Sequence, residues 1–152
     1  MSIQKEKINE YLNKTKFIVL ATVDANQTPV LRSLGSFAAD ELAVYFTTHR
    51  STGKVRQIRE NPKVSILFQH ENQELASFLN VSLTGDAREL DSEEERQKAV
   101  LLLGNRNPRF RERAEKGEIS ENTFFKLDPT EIKVVDFSKG AGAKAVEIIN
   151  LE

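Results

Sequence analysis

The stretch from Tyr45 to Phe68, YFTTHRSTGKVRQIRENPKVSILF, reads as a strand, a polar loop, a short basic helix and a second strand in immediate succession. The hydroxyl pair Ser51 and Thr52 falls where the helix should begin, and Lys54 follows within its first turn. N–H groups at a helix start lack intrahelical partners and carry partial positive charge, so hydroxyls and an ammonium placed there suit a phosphate dianion. Asn61-Pro62 ends the helix, because the residue before proline is pushed out of the helical region. The same spacing also fits an ordinary N-cap at Ser51 with Lys54, Arg56, Arg59 and Lys63 on a solvated face. The surroundings must choose between the two.

With 152 residues, 39% of them hydrophobic and 30% charged, the chain suits one globular domain over 1–152. A formal net charge of −1 argues against nonspecific nucleic-acid binding as its main task. The chain has no cysteine, which removes disulfides, thiolate nucleophiles and cysteine-ligated metals. With only His49 and His70, no metal site is expected. The N-terminus lacks the apolar core of a signal peptide, and FIVLATV is too short to span a bilayer, so a cytoplasmic, non-membrane location is the expectation.

Outward from the quoted stretch, Ile3, Ile8, Tyr11 and Leu12 suit one face of a helix capped at Ser2. Phe17 to Val23 and Thr28 to Leu34 read as a hairpin around Asp24-Ala25-Asn26-Gln27. Leu42 to Thr47, entered through Ala39-Asp40-Glu41, is a third strand, and Lys63 to Gln69 a fourth. A fifth strand lies within Phe78 to Leu90, where Gly85 signals a bulge or a close backbone approach. Ser92 and Glu95 have the spacing of a capping box, opening a helix that Gly104 is expected to stop. A further helix begins near Pro108 and ends at Gly117. Thr123 to Leu127 and Ile132 to Phe137 are the last strands, separated by Asp128-Pro129. The class expected is mainly β with peripheral helices, an antiparallel barrel.

In this arrangement the chain resembles the pyridoxamine 5'-phosphate oxidase-like family, the FMN-binding split β-barrels, from about Lys16 to Phe137. Tyr45-Phe46-Thr47-Thr48, Ser51-Thr52-Gly53-Lys54, Gln57-Ile58 and Asn61-Pro62-Lys63-Val64-Ser65 carry the resemblance, supported by the opening FIVLATVDANQTPVLRS. It implies an FMN site in which Arg32 reaches the phosphate or ribityl chain, with Ser33 as a weaker neighbour. Tyr45, Phe46 and Thr47 would lie along the flavin ring, Thr47 as the polar contact. Ser51, Thr52 and Lys54 would grip the phosphate, and Asn80 would come from a second subunit. A flavin needs an apolar wall, polar contacts at its pyrimidine edge and a charged clamp for its phosphate.

The chain departs from the vitamin-forming oxidases in having no tryptophan and no C-terminal segment rich in Trp, Arg and His, since its tail reads FSKGAGAKAVEIINLE. The resemblance therefore implies an oxidoreductase acting on another small molecule or on NAD(P)H, with no side chain singled out as catalytic. It implies a homodimer with FMN at the subunit interface, for which Phe17, Phe37, Phe68 and Phe78 are the expected aromatic surface. Two alternatives stand beside it: a non-catalytic flavin-binding or ligand-sensing module, and a nucleic-acid-binding barrel using the basic helix and the Arg106 to Arg113 strip, with Phe110 as its aromatic.

Overall fold

The computed structural model describes residues 3–151, with backbone alone for Ile3. The cap expected at Ser2 and the Ile3 side chain lie outside the described residues. Strands β1 (Ile18–Val23), β2 (Pro29–Leu34), β3 (Phe37–Asp40), β4 (Ala43–His49), β5 (Lys63–Gln69), β6 (Leu79–Glu89) and β7 (Asn122–Asp136) form an antiparallel sheet in the order β2-β1-β5-β6-β7-β4-β3. Strand β8 (Val146–Asn150) joins the second half of β7. Helices α1 (Ile3–Lys14), α2 (Gly53–Glu60), α3 (Glu93–Arg106) and α4 (Pro108–Glu115) pack around it.

Alternation of burial along β1 and β5 sends Ile18, Leu20, Val64, Ile66 and Phe68 to one face, as side chains on a pleated strand must alternate. That face curls inward. Phe37 on the terminal strand β3 meets Phe68 on β5 edge to face, with centroids 5.7 Å apart, although three strands separate them in the sheet. Phe46 stacks on Phe125 at 5.3 Å within the same core, and Ile8 and Leu12 of α1 plug it. A second core forms outside, where Tyr45 and Phe124 meet Ala99 and Leu103 of α3 and Phe110 of α4. Strand β4 is thus buried on both faces, with Tyr45 turned outward and Phe46 inward.

The bulge expected at Gly85 is present. Pairing of β6 with β7 shifts between Thr84 and Gly85, leaving Thr130 as the extra residue on β7. Asp128-Pro129 accordingly does not divide two strands: β7 runs through it, because Pro129 sits opposite Gly85 at the bulge. Gly104 does not stop α3, which continues to Arg106; the glycine is buried and lets the Arg111 side chain cross it and donate to its carbonyl. Asn107 ends α3 and also caps α4, accepting from the N–H groups of Arg109 and Phe110. Ser92 caps α3 as expected, its hydroxyl accepting from the Glu95 N–H at 3.1 Å, but the reciprocal half of the box is replaced: the Glu95 carboxylate accepts from the Ser92 hydroxyl and from Arg88.

Strand β3 has no counterpart in the sequence reading, which began a strand at Leu42. Glu41 and Leu42 instead form the β3–β4 turn with φ of 49° and 71°. Neither residue advertises a left-handed turn. The conformation is held from outside: Leu42 is buried in the inner core and its N–H donates to Asn9 Oδ1. Asn13 of α1 then pairs with both backbone groups of Ala39 at 2.8 Å, covering the edge of β3 as a strand would.

Arg106 closes the seam between the sheet's two ends. Its guanidinium donates to the carbonyls of Asn13, Thr15, Gly35 and Phe37 and lies 3.7 Å from the Phe37 ring centroid. Arg106→Ala is expected to cost about 2–3 kcal/mol, since hydrogen bonds to a charged group contribute about 1.5–3 kcal/mol and this site is only half-buried. Arg106→Lys should not restore stability, because an ammonium lacks the planar fork. Thermal denaturation of both variants checks this, and a melting temperature unchanged in Arg106→Ala would refute it.

Candidate functional site

Arg32 of β2 stands opposite Leu20 of β1 and turns its guanidinium toward α2. Nη1 donates to Thr22 Oγ1 at 2.7 Å and to the carbonyls of Leu20 and Val30 at 3.2 Å, while Nη2 donates to Gln57 Oε1 at 2.7 Å. Thr22 Oγ1 donates in turn to Gln57 Oε1 at 2.6 Å. Lys54, one helical turn before Gln57, forms no ion pair. Burial, and then the charge of Arg32, hold its ammonium below the ordinary lysine value, and burial likewise lowers that of Arg32. Two cations thus sit within electrostatic reach of each other, and among the described residues no carboxylate pairs with either.

The loop leading into α2 faces the same place. Thr48 Oγ1 and Thr52 Oγ1 are 3.2 Å apart. Thr52 is the N-cap by position, yet its hydroxyl does not cap the helix, and among the described residues the N–H groups of Gly53 and Lys54 have no acceptor. Ser51 is held differently, its hydroxyl 2.7 Å from His49 Nδ1, which also accepts from the Ser51 N–H. The ordinary N-cap considered for Ser51 is not formed.

The other residues singled out in the sequence are dispersed. Thr47 lies on the face of β4 opposite to Thr48, and its buried hydroxyl donates to the Thr123 carbonyl and accepts from Asn122 Nδ2, both at 2.9 Å. Tyr45 and Phe46 are fully enclosed in the outer and inner cores, leaving only backbone for a ligand. Ser33 is exposed on the face of β2 opposite to Arg32. Asn80, bonded to Gln69 Oε1 at 3.3 Å, lies on β6, three strands along the sheet from β2.

Thr22, Thr48 and Gln57 are members of this cluster that the sequence reading did not assign to it. Gln57 had a legible signal, its one-turn spacing from Lys54. Thr48 had none, because whether Thr47 or Thr48 faces the loop depends on which side of β4 is inward, and both sides are buried. His70, for which the sequence offers no partner, stacks on the Tyr11 ring at 3.7 Å and bonds its backbone carbonyl through Nε2.

Of the four aromatics expected to form a subunit contact, Phe37 and Phe68 are consumed by the inner core and Phe78 packs on Phe137. Phe17 is 63% exposed and Leu31, on the edge strand β2, 68%. Phe110 is buried and Arg106 and Arg111 fold onto carbonyls, which removes the exposed aromatic and two of the cations that a nucleic-acid strip would need. Among the described residues no group of His, Asp and Glu is arranged to hold a metal ion, and no helix is long and apolar enough to cross a membrane.

The curled antiparallel sheet with peripheral helices is a split β-barrel. The sequence profile of pyridoxamine 5'-phosphate oxidase matches residues 4–136. The chain belongs to that family. Comparison with curated proteins finds no match. Among solved structures, the conserved hypothetical protein Rv2991 from Mycobacterium tuberculosis is 16% identical, with a TM-score of 0.75 and 95% of each chain covered. The heme binding protein from Mycobacterium smegmatis is 14% identical with a TM-score of 0.77, covering 99% of this chain and 59% of that one. HutZ, the heme storage protein from Vibrio cholerae, is 21% identical with a TM-score of 0.67, covering 82% of this chain and 88% of that one. At these identities the likeness is one of fold.

Proposed function

We propose that this chain is an FMN-binding flavoprotein, a homodimeric oxidoreductase of a small molecule. The observation that carries the reading is the pair Arg32 and Lys54, partly desolvated, repelling each other and lacking a carboxylate. Such a pair is unfavourable until an anion arrives, and a phosphate dianion supplies the two charges it needs. The one O–H of the Thr48–Thr52 pair not spent on its partner, with the N–H groups of Gly53 and Lys54, completes a donor set suited to phosphate oxygens. Ser51 contributes through the shape of its loop, its hydroxyl being held by His49. Thr47, Tyr45 and Phe46 contribute backbone along β4.

In this reading Asn80 comes from the second copy, as the family resemblance implies. The exposed Phe17 and Leu31 offer apolar surface for that contact. A bound flavin would supply hydride and electron transfer at its ring, while Arg32, Lys54 and the loop into α2 would hold its phosphate and the β4 backbone would lie along the ring.

Titration of ligand-free protein with FMN, riboflavin and heme tests this, followed by absorbance. FMN is expected to bind at least about tenfold tighter than riboflavin, as one charge-assisted hydrogen bond is worth about 1.5–3 kcal/mol. Lys54→Ala should remove most of that preference and Ser51→Ala little of it. Heme bound with FMN excluded, or no flavin bound at all, would overturn the reading. Turnover with NADH or NADPH separates the oxidoreductase from a flavin-binding module without catalysis.

A further inference from the structure

Arg32 carries five N–H donors, and the protein uses only part of them. Both Nη1 hydrogens go to Thr22 and to the strand carbonyls, and one Nη2 hydrogen goes to Gln57. Among the described residues the Nε–H and the second Nη2–H have no acceptor. Two parallel donors on one edge of a guanidinium are the geometry that takes two oxygens of a phosphate at once.

What leaves that edge free is a closed ring of hydrogen bonds: Arg32 Nη1–H to Thr22 Oγ1, Thr22 O–H to Gln57 Oε1, and Arg32 Nη2–H to the same Oε1. The ring also fixes its own atoms. Thr22 accepts from an arginine that can only donate, so its proton must go to Gln57, and the Gln57 atom facing both is its oxygen. The other amide atom, Nε2, lies toward Gly53 at the mouth of α2. Thr22 is buried on β1, so the ring has one rigid wall, and Gln57 shares a helix face with Lys54, so one short helix supplies both a cation and the orientation of the other.

We propose that Gln57 is the positioning and charge-selecting residue of this site: it orients Arg32 for a phosphate while adding no charge, which keeps the pocket selective for a dianion. The proposal rests on the phosphate reading above. A glutamate at 57 would keep the same two acceptor bonds, but its carboxylate would pair with Arg32 and oppose an incoming phosphate. Neutrality of the amide, not hydrogen-bonding capacity alone, is then what the site requires.

The test uses Gln57→Glu and Gln57→Leu, each titrated with FMN and with riboflavin, which shares the ring but has no phosphate. Gln57→Glu is expected to fold with an unchanged melting temperature, to lose at least about tenfold in FMN affinity and to keep its riboflavin affinity. Gln57→Leu, which removes the acceptor without adding charge, should lose FMN affinity by a smaller factor, again sparing riboflavin. FMN affinity unchanged in Gln57→Glu, while Lys54→Ala loses it, overturns the proposal and leaves the phosphate reading standing. Equal losses for FMN and riboflavin in both variants also overturn it, since they mark a merely structural role. A wild-type protein with no preference for FMN over riboflavin ends both.

Discussion

Gly85→Val is expected to yield no folded protein, and Gly85→Ala a protein destabilised by about 3 kcal/mol, the upper range for forcing extra volume into a packed site. A Cβ at this position would lie 2.4 Å from the Asp128 carbonyl oxygen, 3.0 Å from Pro129 Cα and 3.1 Å from the Thr130 nitrogen. All three are backbone atoms, so no side chain can swing aside. They belong to β7, the strand shared by β4, β6 and β8, at the bulge that bends it around the core. With folding stabilities typically about 5–15 kcal/mol, such a loss removes a large share of the total. For a domain of this size it should lower the melting temperature by roughly 6–12 °C. Gly104→Ala is the contrast, since its nearest neighbour is Arg111 Cβ at 3.3 Å, a contact that a shift of a few tenths of an ångström between α3 and α4 relieves. Thermal or urea denaturation of the two alanine variants should rank them clearly; equal stability would mean the β6–β7 approach is looser than described.

Replacing Arg32 and Lys54 together with Met should abolish tight FMN binding while leaving the fold intact. Charge-assisted hydrogen bonds lost from two cations amount to about 3–6 kcal/mol, a factor of roughly 10² to 10⁴ in dissociation constant. Methionine keeps most of the apolar stem, so packing along β2 and α2 is preserved. Among the described residues neither cation is in an ion pair, and each is held below its ordinary pKa by burial, Lys54 further by Arg32. Removing them relieves repulsion but also deletes the bonds of Arg32 to Thr22, Gln57 and the carbonyls of Leu20 and Val30, so the ligand-free double variant should stay folded yet lose about 1.5–3 kcal/mol. Titration with FMN and riboflavin, paired with a melting curve, checks both halves. Retained FMN affinity would mean that the phosphate lies elsewhere; a collapsed melting temperature would mean that Arg32 serves the β1–β2 hairpin first.

Much of the site was legible because its residues are close in sequence. Ser51, Thr52 and Lys54 fall within four positions, and the helix between Gly53 and Asn61-Pro62 has its stop written in the proline. Arg32 was reachable through the hairpin, whose strands were read to within a residue of β1 and β2. Thr48 and Thr47 could not be told apart, because alternation identifies a face only when one side of a strand meets water and β4 meets none. Which hydroxyls serve as hydrogen-bond donors and which are already engaged was likewise invisible: Ser51 and Thr52 are equal in sequence, and only their neighbours His49 and Thr48 distinguish them.

Local chemistry alone determined the antiparallel β class, the end of α2 at Asn61-Pro62, the cap at Ser92 and the special status of Gly85, since each depends on residues adjacent along the chain or on a missing side chain. Tertiary structure decided the left-handed turn at Glu41-Leu42, the unbroken course of β7 through Pro129 and the inward turn of Arg106. In each case a distant group, Asn9, Gly85 or the carbonyls of α1 and the β2–β3 link, overrides what the local residues would favour by themselves. The meeting of Arg32 with Lys54 is of the same kind: two like charges accept that proximity because the folding of β2 against α2, through Thr22 and Gln57, holds them there.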